Sequence, residues 1–311
     1  MGKRSKQFIE KLQKNRTLIG SLILIITLLW GYAWVLMKQA LDYMGPFTFS
    51  SFRFGVGAIT LLVVAWIMKV GLPPKHYWKH IFVIGILQTA IVFLLVMYGL
   101  RFVDAGKSSV LLYSMPMWSS LLAAKYLNER LTLAKSSGLI IGMLGLLTIL
   151  GWDIWMGQSI EIIIGEVLII IAAISWAIAN IYYRKKVQDL PQLQVSAFQM
   201  FFGTIAIMVV TLIMEPNERL LLNAQSIYYI LFTGIFASAL CFTVWFLILS
   251  LIDMVSATIS TLLVPMFGLI FSSFLLGEKI TLGVFAGSVM IIIGIIIAQI
   301  NQPMRGKPLE E

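Results

Sequence analysis

Ten apolar runs of about 20 residues, each closed by a short polar break, leave this chain almost one way to fold, since about 20 apolar residues make a helix long enough to cross a bilayer. They read Leu18 to Met37, Pro46 to Met68, Tyr77 to Leu100, Gly106 to Leu127, Ala134 to Trp152, Ile160 to Tyr183, Leu193 to Met214, Ile227 to Leu249, Val255 to Leu276 and Ile280 to Ile300. In hydrocarbon every backbone N–H and C=O must be satisfied internally, and runs without alternation cannot be barrel strands. The expected fold is an all-α integral membrane protein with ten transmembrane helices. With 59% apolar and 12% charged residues among 311, and a mean hydropathy of +0.94, a soluble globular domain is excluded. The longest polar stretch, Met1 to Thr17, is too short to fold alone.

Lys and Arg mark sidedness, because cytoplasmic loops are enriched in them. The amino-terminal arm, the even-numbered connections and the carboxyl end together hold 17, whereas the odd-numbered connections hold five (Lys38, Arg101, Lys107, Arg219 and Lys279). Both termini are therefore expected in the cytoplasm, with the protein in the plasma membrane. The first run is full length and followed by Lys38, so it is expected to remain as a span rather than a cleaved signal. Membrane topology and anionic lipid account for the net charge of +9 without any nucleic-acid partner.

Sliding the chain by 149 residues aligns Gly85 to Gly145 with Gly234 to Gly294, and 14 of 61 positions are identical. Asp104 meets Asp253, Pro116 meets Pro265, Glu129 meets Glu278, Thr132 meets Thr281 and Gly138 meets Gly287. A shift of 146 pairs Trp30 with Trp176, Ala33 with Ala179, Lys38 with Arg184, Phe52 with Phe198 and Gly57 with Gly203. Two halves of five spans follow, residues 18–152 and 160–300, between a basic arm (1–17) and a tail (301–311). Five is odd, so the second half enters the membrane in the opposite sense. Such an inverted repeat is the architecture of alternating-access carriers.

Leu28-Leu29-Trp30-Gly31, Phe52-Arg53-Phe54, and Pro116 followed by Leu127-Asn128-Glu129-Arg130, echoed by Pro265 and Leu276-Gly277-Glu278-Lys279, resemble the paired EamA domains of the drug/metabolite transporter superfamily. The resemblance spans nearly the whole chain. It implies a ten-helix carrier with a cavity between the halves, usually an exporter of amino acids or other small metabolites.

Within the spans, Trp30 and Trp34 lie one turn apart on one helix face, and Trp176 and Asn180 occupy the matching places in span six. With Gln88, Tyr98, Tyr113 and Trp245 they form the expected substrate-binding set, alongside Ser114, Gln199, Thr243 and Thr261. An amide deep in a membrane helix is costly without a partner, which favours Asn180. Pro116 and Pro265 are expected to kink spans four and nine at mid-helix. Glu129 and Glu278 each precede a helix amino terminus, where a carboxylate caps, or else pairs with Arg130 or Lys279. Arg53, about 10 Å into span two, either snorkels to the interface or serves as counter-ion to an anionic substrate. None of the 14 acidic residues falls near the middle of a span by this reading.

No zinc, metal-pyrophosphate or phosphate-loop motif occurs, so no enzyme activity, metal or cofactor is expected. His76 and His80, four apart between lysines, read as an interfacial anchor. The lone Cys241 sits in an apolar run and carries no redox message. An uptake carrier, a facilitator or a channel for a small organic solute is the alternative to export. Substrate, coupling ion and oligomeric state are not readable from the residues.

Overall fold

The computed structural model describes residues 16–127, 133–251 and 261–300, and among these the regular structure is helical with no strand. We number the helices α1 (Arg16–Ala40), α2 (Pro46–Ile67), α3 (Lys75–Gly99), α4 (Ala105–Leu112), α5 (Met115–Tyr126), α6 (Leu133–Trp155), α7 (Ile160–Lys186) and α8 (Gln192–Met214). Next comes α9, made of Ala224–Leu231, Phe232–Leu240 and Cys241–Leu251, followed by α10 (Leu263–Leu276) and α11 (Leu282–Ile300). Six segments are long and apolar enough to cross a membrane: Thr17–Ala40, Pro46–Ile67, Lys75–Gly99, Ile160–Lys186, Gln192–Met214 and Ala224–Trp245. Shorter apolar helices cover Ser136–Trp152, Leu263–Leu276 and Leu282–Ile297. The outward side chains Trp66, Leu212 and Phe274 are each at least 75% exposed, as lipid-facing positions require. Glu129, Arg130 and Asp253, the arm up to residue 15 and the tail 301–311 lie outside the described residues.

Span four is not the single helix expected over Gly106 to Leu127. It breaks at Tyr113–Ser114 into α4 and α5, and Pro116 stands in the first turn of α5. Pro265 likewise falls in the first turn of α10. The first N–H groups of a helix have no intrahelical acceptor, so neither proline removes a ladder bond. The expected mid-helix kinks are thus corrected: these prolines start helices.

Two helices change pitch instead. Gly85–Ile91 of α3 and Phe232–Leu240 of α9 are π-helical, and these stretches coincide under the 149-residue shift. Each receives a side-chain hydrogen bond from a distant helix: Ser175 Oγ of α7 donates to the Leu87 carbonyl at 2.7 Å, and Trp30 Nε1 of α1 donates to the Ala237 carbonyl at 2.8 Å. π turns are rare and sit mostly at functional places.

Close packing uses small residues, as expected where lipid offers no hydrophobic drive for helices to associate. Gly138, Gly142 and Gly145 of α6 face Gly287 and Gly294 of α11, backbone against backbone. Gly85 meets Gly203, which joins α3 to α8, and Gly57 meets Gly234, which joins α2 to α9. Further contacts pair α2 with α8, α1 with α10, α3 and α5 with α7, and α4 with α10. Gly277, at φ 69°, ends α10 in the left-handed conformation that glycine adopts without strain.

Candidate functional site

Two aromatic groups pack against one buried apolar cluster. Trp30 meets Phe242 and Trp245 edge-on, with ring centroids 6.1 and 6.2 Å apart. Trp176 approaches Phe93 at 6.3 Å, and Phe93 lies 4.4 Å from Phe54. Phe93 and Phe242 are partners under the 149-residue shift, as Trp30 and Trp176 are under 146, so each half contributes to one Trp–Phe pair of the same kind. Tyr113, at the α4–α5 break, lies within electrostatic range of Arg53 and of the Cys241 thiol, and Cys241 belongs to the cluster against which Trp30 and Trp245 pack. Asn180 Nδ2 reaches the Met115 sulfur at 3.5 Å, a weak acceptor for an amide. Gln88 is half-buried within the π turn of α3.

Arg53 belongs to this centre and does not snorkel. It is only 6% exposed, and its guanidinium carbon lies 4.9 Å from the ring centroids of both Phe54 and Phe93. Nη1 donates to the Met37 sulfur at 2.9 Å, while Nε is buried with no hydrogen-bond partner among the described residues.

Trp34 is buried beside Gly268 of α10, in the apolar cluster against which Trp30 also packs. Tyr98 stacks on Phe47 at 6.1 Å and stands beside Phe102 and Arg101 at the end of α3. Of the other polar groups, Gln199 accepts from Thr89 Oγ1 at 2.8 Å, and Ser114 and Thr243 bond to their own helices. His80 shares a 2.8 Å hydrogen bond with Tyr182, and no group of three or more metal-ligating side chains occurs among the described residues.

At the face formed by the odd-numbered connections, a polar seam closes the bundle. Glu278 neither caps the helix that follows it nor pairs with Lys279, the two expected roles; instead it reaches α4. Its Oε1 accepts from Ala105 N at 2.7 Å and its Oε2 from Gly106 N at 3.1 Å. A carboxylate there meets two orphan donors and the positive end of the helix dipole. One residue further, Lys107 Nζ lies 3.0 Å from Glu166 Oε1, with Lys107 8% exposed and Glu166 fully buried. Lys38 donates to the Leu100 and Val103 carbonyls at the end of α3. Glu215 caps α2, accepting from Phe47 N, Thr48 N and Thr48 Oγ1 at 3.0, 2.7 and 2.8 Å. The crevice left between Asp104, Lys107, Ser272 and Glu278 measures about 10 Å³, room for about one water.

An acid does lie inside a span, though short of its middle. Glu166 is the seventh residue of α7, and Lys107, assigned to a loop by sequence, is the third of α4. The signal is present in Ile160-Glu161-Ile162-Ile163-Ile164-Gly165-Glu166-Val167, where one carboxylate continues into an apolar run. Its basic partner is hidden in the sequence because Lys107 stands next to the start of span four, where a loop cation is ordinary.

The class these features define is an all-helical, multi-pass membrane protein with buried aromatic groups and a polar seam. The family model for EamA-like transporters matches residues 18–151 and again 163–299, and the chain belongs to that family. It is 31% identical over 274 residues to the uncharacterized transporter YoaV of Bacillus subtilis, covering 88% of this chain and 94% of that one. A probable amino-acid metabolite efflux pump of Salmonella typhimurium is 26% identical over 286 residues, covering 89% of this chain and 93% of the pump. A solved crystal structure superposes with a TM-score of 0.65 at 18% identity, across 91% of this chain and 98% of that one, and shares the fold.

Proposed function

We propose that the protein is an alternating-access carrier that exports amino acids or other small metabolites across the plasma membrane, built as ten spans in two inverted halves with both termini in the cytoplasm. The observation that carries this reading is the internal symmetry of the packing. Counting α4 and α5 together as span four, spans two and seven pair, spans five and ten pair, and the contact of span one with span nine has its counterpart between spans six and four. The contact of span three with span six likewise matches that of span eight with span one. Exchanging each span for the one five places away leaves this scheme unchanged, and the two π turns obey the same exchange. A pseudo-two-fold of this kind gives a carrier two states of nearly equal energy, each the mirror of the other in which half is open.

On this reading the odd-numbered connections face outward, and the seam at Glu278 and Lys107–Glu166 is the outer closure. The solute binds between the halves, against Trp30, Tyr113, Trp176, Asn180 and Trp245. Export is favoured over uptake by the Salmonella pump, which matches over most of both chains. The test is untargeted profiling of medium and cytoplasm from cells overproducing the protein, beside an equally expressed Trp176→Ala, Asn180→Ala double variant. One compound class accumulating outside only with the intact protein is the expected result. Depletion from the medium would reverse the direction to uptake, and identical profiles would remove the site assignment.

A further inference from the structure

We infer that Arg53 is the anchor for an anionic group on the transported solute, and that this group is a carboxylate. The assignment rests on the carrier reading above and names its substrate chemistry. A guanidinium is charged under all ordinary conditions and carries five N–H donors in a rigid fork that matches a carboxylate. Buried charges in proteins are paired or hydrogen-bonded, and inside a membrane an ionisable residue marks a solute path by default. Arg53 breaks the first rule. At 6% exposure it forms no ion pair with a carboxylate among the described residues, its Nε is unpartnered, and its one hydrogen bond goes to a thioether. The faces of Phe54 and Phe93, each at 4.9 Å, offset part of the charge but give Nε no acceptor.

The repeat sharpens the argument. Under the 146-residue shift Arg53 corresponds to Gln199, which is 3% exposed and whose Oε1 accepts from Thr89 at 2.8 Å. The two halves present matching aromatic groups, Phe93–Trp176 and Phe242–Trp30. At the position of Arg53 they differ in charge, a cation in one half and a hydrogen-bonded neutral amide in the other. A site with two alike apolar walls and one unmatched cation holds an apolar body either way and turns its acidic end toward Arg53. The ligand class is therefore a small organic carboxylate with an apolar or aromatic body, amino acids included.

The test uses matched probes on the purified, detergent-solubilised full chain: phenylacetate against phenylacetamide, 4-methylpentanoate against its amide, and phenylalanine against phenylalaninamide. Stabilisation against heat is titrated for the wild type, Arg53→Gln and Arg53→Lys, with monodispersity checked for each. Glutamine already occupies the corresponding position of the second half, and lysine keeps the charge, so at least one variant is expected to fold. In the wild type each acid should act at a concentration about 10-fold or more below its amide, as a charge-assisted bidentate contact requires. That gap should fall below about 2-fold in Arg53→Gln, where the cation is absent, and persist in part in Arg53→Lys, where a point charge remains without the fork. Acids and amides acting alike on the wild type, or an undiminished preference in Arg53→Gln, would overturn the assignment. Release of the same probes from proteoliposomes separates it from the carrier reading. Acid-selective binding without catalysed release sinks the carrier and leaves the site, whereas amides released as fast as acids sink the role of Arg53 and leave the carrier.

Discussion

Removing one partner of the Lys107–Glu166 pair should destabilise the protein more than removing both. At 3.0 Å and an effective dielectric of about 20, the Coulomb attraction is about 5 kcal/mol. Against it stands a desolvation penalty of several kcal/mol for each ion, and with Lys107 8% exposed and Glu166 fully buried solvent screening relieves little of it. The two terms nearly cancel while the pair is intact. Glu166→Gln abolishes this attraction while Lys107 stays buried, at a cost of about 3–5 kcal/mol, and Lys107→Met takes the 3.0 Å contact from the buried carboxylate at a similar cost. The double variant, Lys107→Met with Glu166→Leu, removes the attraction and both penalties together, and should lie within about 2 kcal/mol of wild type. The assay is reversible unfolding of the purified protein in mixed micelles, followed by tryptophan fluorescence, with all four proteins compared in a double-mutant cycle. Additive losses, with the double variant worse than either single one, would show that the ions are solvated separately and refute the reasoning.

Replacing Glu278 by Gln should loosen the seam by about 1 kcal/mol, since a neutral amide caps α4 less well than a charge. A cysteine placed at Ser109, against the buried background of Cys241, should then react about 5-fold faster with a water-soluble maleimide; an unchanged rate would mean that the cap does not hold the seam. Gly31→Ala places a methyl 2.5 Å from the Cβ of Phe267, so it should cost about 1–3 kcal/mol by forcing α1 from α10, and a silent substitution in the same unfolding assay would contradict that contact. A reporter fused after Lys307 should read cytoplasmic, and an external signal would reverse the inward and outward assignments together.

The apolar runs are legible in the sequence because hydrocarbon imposes one demand on every residue of a span, and a demand of that length survives any detail of packing. Trp30, Trp176, Trp245 and Tyr113 are legible as a set for a related reason: amphipathic groups within spans have few places to go. The break at Tyr113–Ser114 is not, because it needs no polar signal once Pro116 can open a new helix without losing a backbone bond. The π turns are equally silent; each lies along a close glycine contact, Gly85 with Gly203 and Gly57 with Gly234, which is a tertiary fact. The spacing of Trp30 and Trp34 shows that they share a helix face, but not that α10 packs over Trp34 at Gly268 and buries it, which is again a tertiary fact.

The composition of the seam bears on how a carrier of this kind could work. Under the alternating access proposed above, its two states must lie within a few kcal/mol, or no solute of ordinary affinity could shift the balance. A closure made of packed leucines would be hard to open, because every separated apolar contact would be exposed to water. Here the closing contacts are a carboxylate on two backbone N–H groups and one ion pair, Glu278 with α4 and Lys107 with Glu166. Opening breaks about 1–2 kcal/mol of capping, and it separates two ions whose attraction was already offset by their desolvation. Water entering the opened seam hydrates both charges and the freed N–H groups, so the open form regains much of what it gives up. The same chemistry would make the seam respond to neutralisation of one ion. That follows from the cycle argued above, in which the ion that has lost this contact favours whichever state exposes it to water. Glu166→Gln should therefore raise the maleimide reactivity of a Ser109→Cys reporter, and the double apolar replacement should lower it below wild type. Opposite signs for those two variants are the outcome that distinguishes a gate from a mere structural clasp.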